Sequence, residues 1–304
     1  MAKVACVLVA YQPEQDVLVQ LVHKALLQSE HVFLIDNTPS RLSDYSGSIS
    51  AIHFEREQRV TIIANQKNLG IAAAQNIGLR LALENAYDYA LLLDQDSTPG
   101  DDLVDSLSAL MNQSDTFDKP VAAIGPVIYD PRSQQSAPFI QCDRRVRKVE
   151  PSLMKGDAAC CDFLVASGSL ISLSALKNIG FMDDDLFIDC VDLEWGFRAR
   201  SKGYQLLGAR DIKMHHTIGD EHLSVFGRKL TMHSPLRHYY FFRNFYHLLK
   251  KPYVPFSWKL HVFFKSSLQA AIYSTVPERR FEHCKMIFKG IWHGIIGKLG
   301  KYQE

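Results

Sequence analysis

Asp94 and Asp96 stand one residue apart at the end of a four-residue apolar run, Ala90 to Leu93. Ser97, Thr98, Pro99 and Gly100 follow and break the run. The pattern predicts a buried strand that delivers two carboxylates to its carboxyl end. In an open α/β sheet, ligands bind outside those ends. Two hard oxygen donors placed there suit a divalent cation that also holds phosphate oxygens, which points to a metal-bound nucleotide diphosphate. An acidic pair before a turn is also a common cap or loop solubiliser. The rest of the chain has to decide between the two.

A second acidic cluster lies far along the chain, in Phe187-Ile188-Asp189-Cys190-Val191-Asp192-Leu193-Glu194-Trp195. Val191 to Arg200 has helical spacing, and Gly203 is placed to end the helix. Asp189 and Asp192 are three apart, and share a face if both are helical. Glu194 and Arg198 are four apart, which predicts an ordinary surface ion pair. Asp192 sits in the first turn among buried residue types, where helix capping competes with a chemical role. His216 leaves a predicted strand over 212–216. A lone histidine is usually structural, but one at a strand end facing the same cleft as Asp96 completes a metal shell.

The elements that must position these groups follow from apolar runs and periodicity. Val4 to Val9 reads as a buried strand, 14–28 as a helix, His31 to Asp36 as a second strand and Val60 to Ala64 as a third. Gly70 permits a tight turn, and the alanine run after it starts a helix that packs closely on the sheet, with its first N–H groups facing an anion. The Asp94 strand, a helix near 101–112 and a strand over 121–128 come next. This alternation predicts a mostly parallel α/β sheet flanked by helices. A Rossmann dinucleotide fold is excluded, because Tyr11-Gln12-Pro13-Glu14 after the first strand holds no glycine. Residues 130–157 are polar, with Arg144, Arg145, Arg147 and Lys148 clustered, and read as a solvated surface segment. Gly168 interrupts a strand pattern over 162–173 and marks a bulge or close approach. Residues 204–209 and 212–216 read as two short strands.

Composition narrows the class. No run of about 18 apolar residues exists, so no membrane-spanning helix is expected. The apolar start reads as a first strand and not as a signal peptide. The six cysteines make no Cys-x-x-Cys pair, which argues against a zinc site and fits a reducing cytoplasm. The net charge of +1 hides an asymmetry: Arg228 to Glu304 holds 14 Lys and Arg against 3 Glu and no Asp, and the remainder holds 20 against 30 acids. An acidic body with a basic tail predicts two surfaces with different partners.

Taken together, the motifs resemble the family 2 glycosyltransferases with the GT-A fold, and within them the bacterial rhamnosyltransferases. The resemblance covers roughly residues 3 to 245. It rests on Asp36-Asn37, on Asn68-x-Gly70 with Asn76, on Leu93-Asp94-Gln95-Asp96-Ser97, on Phe187-x5-Asp192-x-Glu194-Trp195-x2-Arg198 with Gly203-Tyr204, and on His216-x2-Gly219. It implies that Asp36 binds the base of a nucleotide sugar beside Tyr11. Asp94 contacts the nucleoside, and Asn68, Gly70 and Asn76 belong to the donor-binding element. Asp96 binds Mg2+ or Mn2+ on the diphosphate, helped by His216. Asp192 is the general base that deprotonates the acceptor hydroxyl. Many relatives carry Glu-Asp there, whereas Val191 precedes Asp192, so the role rests on Asp192 with Asp189 as understudy. Base and metal on opposite sides of the anomeric carbon imply inversion. The implied reaction moves L-rhamnose from dTDP-L-rhamnose to a lipid-linked precursor of an O-antigen or other cell-surface polysaccharide. A UDP-sugar donor, galactose or N-acetylglucosamine, is the alternative, and a non-catalytic carbohydrate or nucleic-acid binding protein is the third reading.

The catalytic domain is expected over 1–220 and a helical, basic, aromatic region over 221–304. Pro235 starts a helix there. The resemblance includes Arg237-x-Tyr239-Tyr240-x2-Arg243-Asn244 and implies that Arg243 reaches phosphate. Apolar positions at helical spacing with lysines beside them predict contact with an anionic membrane, which places the protein at the inner face of the bacterial cell membrane. Packing against the catalytic domain, or against another subunit of a homo-oligomer, is the competing reading. The acidic front half and the lack of a nucleic-acid motif argue against nucleic acid.

Overall fold

Seven consecutive apolar residues, Val4–Ala10, form β1, and all are buried. A strand covered on both faces belongs in the middle of a sheet with helices on either side. The computed structural model describes residues 2–39, 58–113, 117–131, 134–215, 221–225, 228–277 and 279–303, and places β1 there. It pairs in parallel with β2 (His31–Asp36), which carries β3 (Val60–Ala64) outside it, and on its other side with β4 (Tyr89–Asp94). Side chains alternate across a strand. Cys6, Leu8 and Ala10 therefore share one core with Leu18, Leu21 and Val22 of α1 (Gln15–Gln28). Ala5, Val7 and Val9 share the other with Ala72, Ala74 and Leu79 of α2 (Ile71–Glu84). Leu103 and Leu107 of α3 (Leu103–Asn112) complete the α1 side.

The sheet continues through β5 (Val121–Asp130), with β6 (Gln135–Ser136) folded back on its end. A separate hairpin joins β7 (Phe139–Cys142) to β8 (Val146–Val149). Then come β9 (Ala158–Cys161), β10 (Leu170–Ser172), α4 (Leu173–Ile179), α5 (Val191–Ser201) and β11 (Gln205–His215). The order across the sheet is β3-β2-β1-β4-β10-β5-β11-β9. β10 runs against both β4 and β5, and β9 runs against β11. The other six strands share one direction, so the expected α/β architecture, mostly parallel with helices on both faces, is present.

Chain order reverses at β1, with β2 on one flank and β4 on the other. Ligands bind at such switch points, outside the carboxyl ends. The register places Ala10 opposite Asp36 and Val9 opposite Asp94. Tyr11, Asp36 and Asp94 therefore emerge along one edge.

Three expectations change. Residues 139–149 are not a solvated loop, because Phe139 and Cys142 supply buried positions to the β7–β8 hairpin. The two strands expected over 204–216 are one, β11, with an irregular register between Gly208 and Lys213. Only 170–172 of the expected 162–173 strand is extended, but Gly168 does mark a close approach. Its φ is +86°, and a Cβ there would lie 2.8 Å from the Met214 sulfur.

Beyond β11, β12 (Glu221–Val225) pairs with β13 (Arg228–Met232). Helices α6 (Pro235–Leu248), α7 (Phe256–Tyr273) and α8 (Arg280–Ile296) follow. α6 and α8 approach closely, since a Cβ on Gly290 would lie 2.5 Å from the Tyr239 carbonyl. Among the described residues no helix is long and apolar enough to cross a membrane.

Candidate active site

The end of β4 turns sharply. The Ser97 amide donates to the Asp94 carbonyl at 3.0 Å, and the Asp94 amide reaches the hydroxyls of Ser97 and Ser167 at 3.2 and 3.1 Å. The two serine hydroxyls bond each other. Thr98 then donates to the His215 carbonyl at 3.1 Å, which ties the end of β11 to the same turn. Asp94 and Asp96 both face a cleft of about 660 Å³ above the sheet edge. Tyr11, Asn68 and Gly70 line it from the sheet side, and Asp192 from the start of α5. Six of the ten predicted site residues therefore meet in one cavity. His216, the expected second metal ligand, and Gly219 lie outside the described residues. A larger hollow of about 1030 Å³ opens beside the amino ends of β4 and β5, near Lys119 and Lys177, and holds none of the predicted residues.

The remaining three sit elsewhere. Asp36 is buried, and its Oδ1 accepts from the Thr38 amide at 2.9 Å, which closes the turn after β2. Asn76 is buried on α2 and is paired with Met182 through both its amide nitrogen and oxygen, each at 2.9 Å. It ties α2 to the segment after α4 and does not face the cleft. Arg243, expected at phosphate, is fully buried on α6. Its guanidinium donates to the carbonyls of Leu186 at 2.7 Å, of Asp185 at 3.2 Å and of Gly300.

Gly70 has φ +86° and ψ 164°, a conformation essentially confined to glycine. The first amide of α2, Ile71 N–H, donates to the Phe187 carbonyl at 2.7 Å, so that donor is already used and does not face an anion. An added Cβ on Gly70 would stand 2.5 Å from the same carbonyl oxygen. Gly70→Ala is accordingly expected to destabilise the protein by about 3 kcal/mol in denaturant unfolding, from backbone strain and overlap. An unchanged midpoint would contradict this close approach.

Asp192 is half-buried at the mouth of α5, and its Oδ1 accepts from Leu193 N–H at 2.8 Å. Burial pushes its pKa up from 3.8 to about 6. The Leu193 and Ala166 amides oppose the rise, and the charges of Asp94 and Asp189 add to it. A carboxyl with this value, lining a cleft, is suited to accept a proton, because the best general bases have pKa values near the working pH.

The segment before Asp192 is strained. Phe187, Asp189 and Cys190 all have positive φ, at 64°, 65° and 62°. Non-glycine residues persist there only when their surroundings over-determine them. Asn244, fully buried on α6, donates to the carbonyls of Leu186, Ile188 and Asp189 at 2.9, 2.7 and 2.9 Å. Its own oxygen accepts from Arg243 Nε at 2.9 Å. Asp189 Oδ1 accepts from Arg237 at 3.3 Å, and Asp189, Arg237 and His233 also line the cleft. The pair expected on the surface, Glu194 and Arg198, is mostly interior. Glu194 is 1% exposed and holds Arg198 at 2.8 Å through both oxygens, and Tyr253 donates to it at 2.6 Å.

Sequence reasoning placed Asn37 in the Asp36-Asn37 motif but gave it no role. It is buried, donates to Asn68 Oδ1 at 3.1 Å and to the Gly70 carbonyl at 3.2 Å, and accepts from Leu69 N–H at 3.0 Å. It thereby fixes the cleft wall before α2. The signal was present: two asparagines, each following a strand and each before a turn. The arrangement can hold an oxygen-rich ligand at the β4 turn and a proton acceptor opposite it.

Comparison with known proteins gives this geometry a family. Across 98% of this chain and 97% of the other, the sequence is 29% identical to the dTDP-rhamnosyl transferase RfbF of Shigella flexneri. Over 97% of this chain the fold matches the crystal structure of GalNAc-T7 with UDP, GalNAc and Mn2+, at a TM-score of 0.61 and 14% identity, although this chain spans 56% of that one. Over 96% of this chain and 81% of the other it matches TarS 1-349 of S. aureus in complex with UDP-GlcNAc, at a TM-score of 0.59 and 13% identity. These likenesses identify the GT-A fold. Residues 6–164 match Glycosyl transferase family 2, more than half of the sequence. The chain belongs to that family, and it is a glycosyltransferase of rhamnosyltransferase-like type.

Proposed function

We propose that the protein transfers L-rhamnose from dTDP-L-rhamnose, with inversion, to a hydroxyl of a lipid-linked glycan precursor at the inner face of the membrane. The carrying observation is that the Asp94–Asp96 turn and Asp192 line one cleft although they are almost a hundred residues apart. The full-length similarity to a dTDP-rhamnosyl transferase supports the choice of donor. We assign 1–220 to the catalytic body and 221–304 to a helical region that buttresses it.

The residues at the β4 turn fit Mg2+ or Mn2+. Such a cation takes one or two carboxylates and completes its shell with substrate phosphates and water. Asp96, with Asp94 beside it, would hold the ion, and His216 is the further candidate ligand. When bound, the ion supplies positive charge to the diphosphate leaving group. Asp192 accepts the acceptor O–H proton as the new bond to the anomeric carbon forms and the bond to the phosphate oxygen breaks. Tyr11 and the Asn37–Asn68 wall position the nucleoside. Approach from the Asp192 side, opposite the leaving group, gives inversion.

Thermal unfolding in the presence of dTDP-rhamnose, UDP-galactose or UDP-N-acetylglucosamine, each with and without Mn2+, tests the reading. At about 100 times Kd the right donor raises Tm by about 5 °C. We expect the largest Mn2+-dependent shift with dTDP-rhamnose, and its loss in Asp96→Asn. A larger shift with a UDP-sugar would reassign the donor. No metal-dependent shift with any of them would leave a non-catalytic binding role in place of the transferase.

A further inference from the structure

Two C-terminal helices leave apolar faces uncovered. Phe256, Leu260, Phe263, Phe264 and Leu268 are exposed on α7 at spacings of three and four residues, which puts them on one side. Phe281, Phe288, Trp292 and Ile295 do the same on α8. Phe256 is 76% exposed and Phe281 79%, so whole rings face solvent on both helices. The helices contact each other. Single exposed apolar side chains need no account, but exposed aromatic faces on two touching helices mark an interaction site.

Charge identifies the occupant. α7 carries Lys259 and Lys265 and no acid. The single acid described on α8, Glu282, is paired with Arg279. The fold then adds a basic element from more than a hundred residues upstream. Arg144, Arg145, Arg147 and Lys148 are exposed on the β7–β8 hairpin. Ile140 and Val146 of that hairpin pack in one cluster with Trp258 of α7, and β8 contacts α7 directly. Lys148 on β8 and Lys265 on α7 are both exposed, on two elements in contact. The segment that reads as a solvated loop in sequence is thus the cationic rim of an apolar face. A second copy of the chain would bring the same cations to meet these, since Arg228 to Glu304 holds only 3 Glu and no Asp.

We infer that α7, α8 and the β7–β8 hairpin form one docking surface for an anionic phospholipid bilayer. Aromatic side chains enter the headgroup boundary while lysines and arginines meet lipid phosphates. This deepens the transferase reading, on which it rests only for the lipid-linked acceptor. The surface joins the cleft through α6, which carries Arg237 at the cleft and packs along α8.

The full chain should co-sediment with vesicles of equal parts phosphatidylcholine and phosphatidylglycerol at low salt, and stay in the supernatant with phosphatidylcholine alone. Each cation near such a surface is worth about a fivefold change in binding. The double variant Arg144→Glu/Arg145→Glu is therefore expected to bind at least about 25-fold more weakly, with an unchanged Tm. Phe264→Ser/Phe288→Ser should also release the protein. Wild-type protein left in the supernatant with anionic vesicles at low salt would overturn the inference. So would equal binding to both vesicle types, or a solution dimer that Phe288→Ser dissolves. The donor-dependent thermal shift is read on the same samples. A retained shift without vesicle binding removes the docking surface alone, and vesicle binding without a shift removes the transferase reading alone.

Discussion

Asp192→Asn is expected to cut turnover by about 10³-fold, within the range that a positioned general base contributes, and to leave the metal-dependent shift with dTDP-rhamnose largely unchanged. The amide keeps the shape of the carboxylate and can still accept from Leu193 N–H. It cannot take a proton from the acceptor. Because burial sets the Asp192 pKa at about 6, wild-type kcat/KM should rise with pH through that value and level off above it. The variant should lose this limb. Stability gives an independent reading. In the unfolded chain the group ionises near its ordinary 3.8. Between about pH 4 and 6 the unfolded form is therefore ionised while the folded form keeps its proton, and stability falls as pH rises. The full loss above pH 6 is about 3 kcal/mol in the absence of nucleotide and metal. Asp192→Asn escapes this loss, so above pH 6 it should unfold at higher denaturant than wild type while being nearly inactive. Stability given up at one residue for reactivity is the pattern expected of functional groups. Full turnover in the variant, or a wild-type pH limb that persists in it, would remove Asp192 as the base.

Legibility from sequence followed the range of the interactions. β1, β2 and β4 were readable because each is an unbroken apolar run, and a strand buried on both faces needs no other signal. Asp94 and Asp96 were readable because the turn residues that follow them end the strand locally. The β7–β8 hairpin was not, because only Phe139, Cys142 and three half-buried neighbours are apolar, and the arginines beside them dominate the composition. Arg243 and Glu194 were misplaced for a common reason. A charged residue reads as exposed until its partners are known, and theirs lie far off: Arg243 meets carbonyls 57 and 58 residues away, and Glu194 meets Tyr253 at a separation of 59. Buried charge is tolerated only with such partners. No local pattern announces them.

Asn244→Ala tests whether the strained segment before Asp192 is held from behind. The side chain is fully buried, and its amide nitrogen serves three carbonyls, those of Leu186, Ile188 and Asp189. Truncation removes that donor from all three; Leu186 keeps Arg243, so the loss falls on the Ile188 and Asp189 carbonyls, and a group left unpaired costs about 1–3 kcal/mol. Because neighbouring effects do not add fully, we expect a total near 4 kcal/mol, read in urea unfolding. The functional effect should be lopsided. Phe187, Asp189 and Cys190 occupy left-handed conformations that relax once their clamps are gone, and Asp192 follows directly after them. Asp94 ends β4, an interior strand of the sheet, its amide is tied to Ser97 and Ser167, and Asp96 sits in the turn that follows. Turnover should therefore fall much further than nucleotide affinity. A misplacement of about 1 Å at a reacting group costs on the order of 10²-fold in rate. If nucleotide affinity fell as far as turnover while stability held, Asn244 would not be acting through the 187–190 segment, and the position of Asp192 would have to be secured by α5 alone.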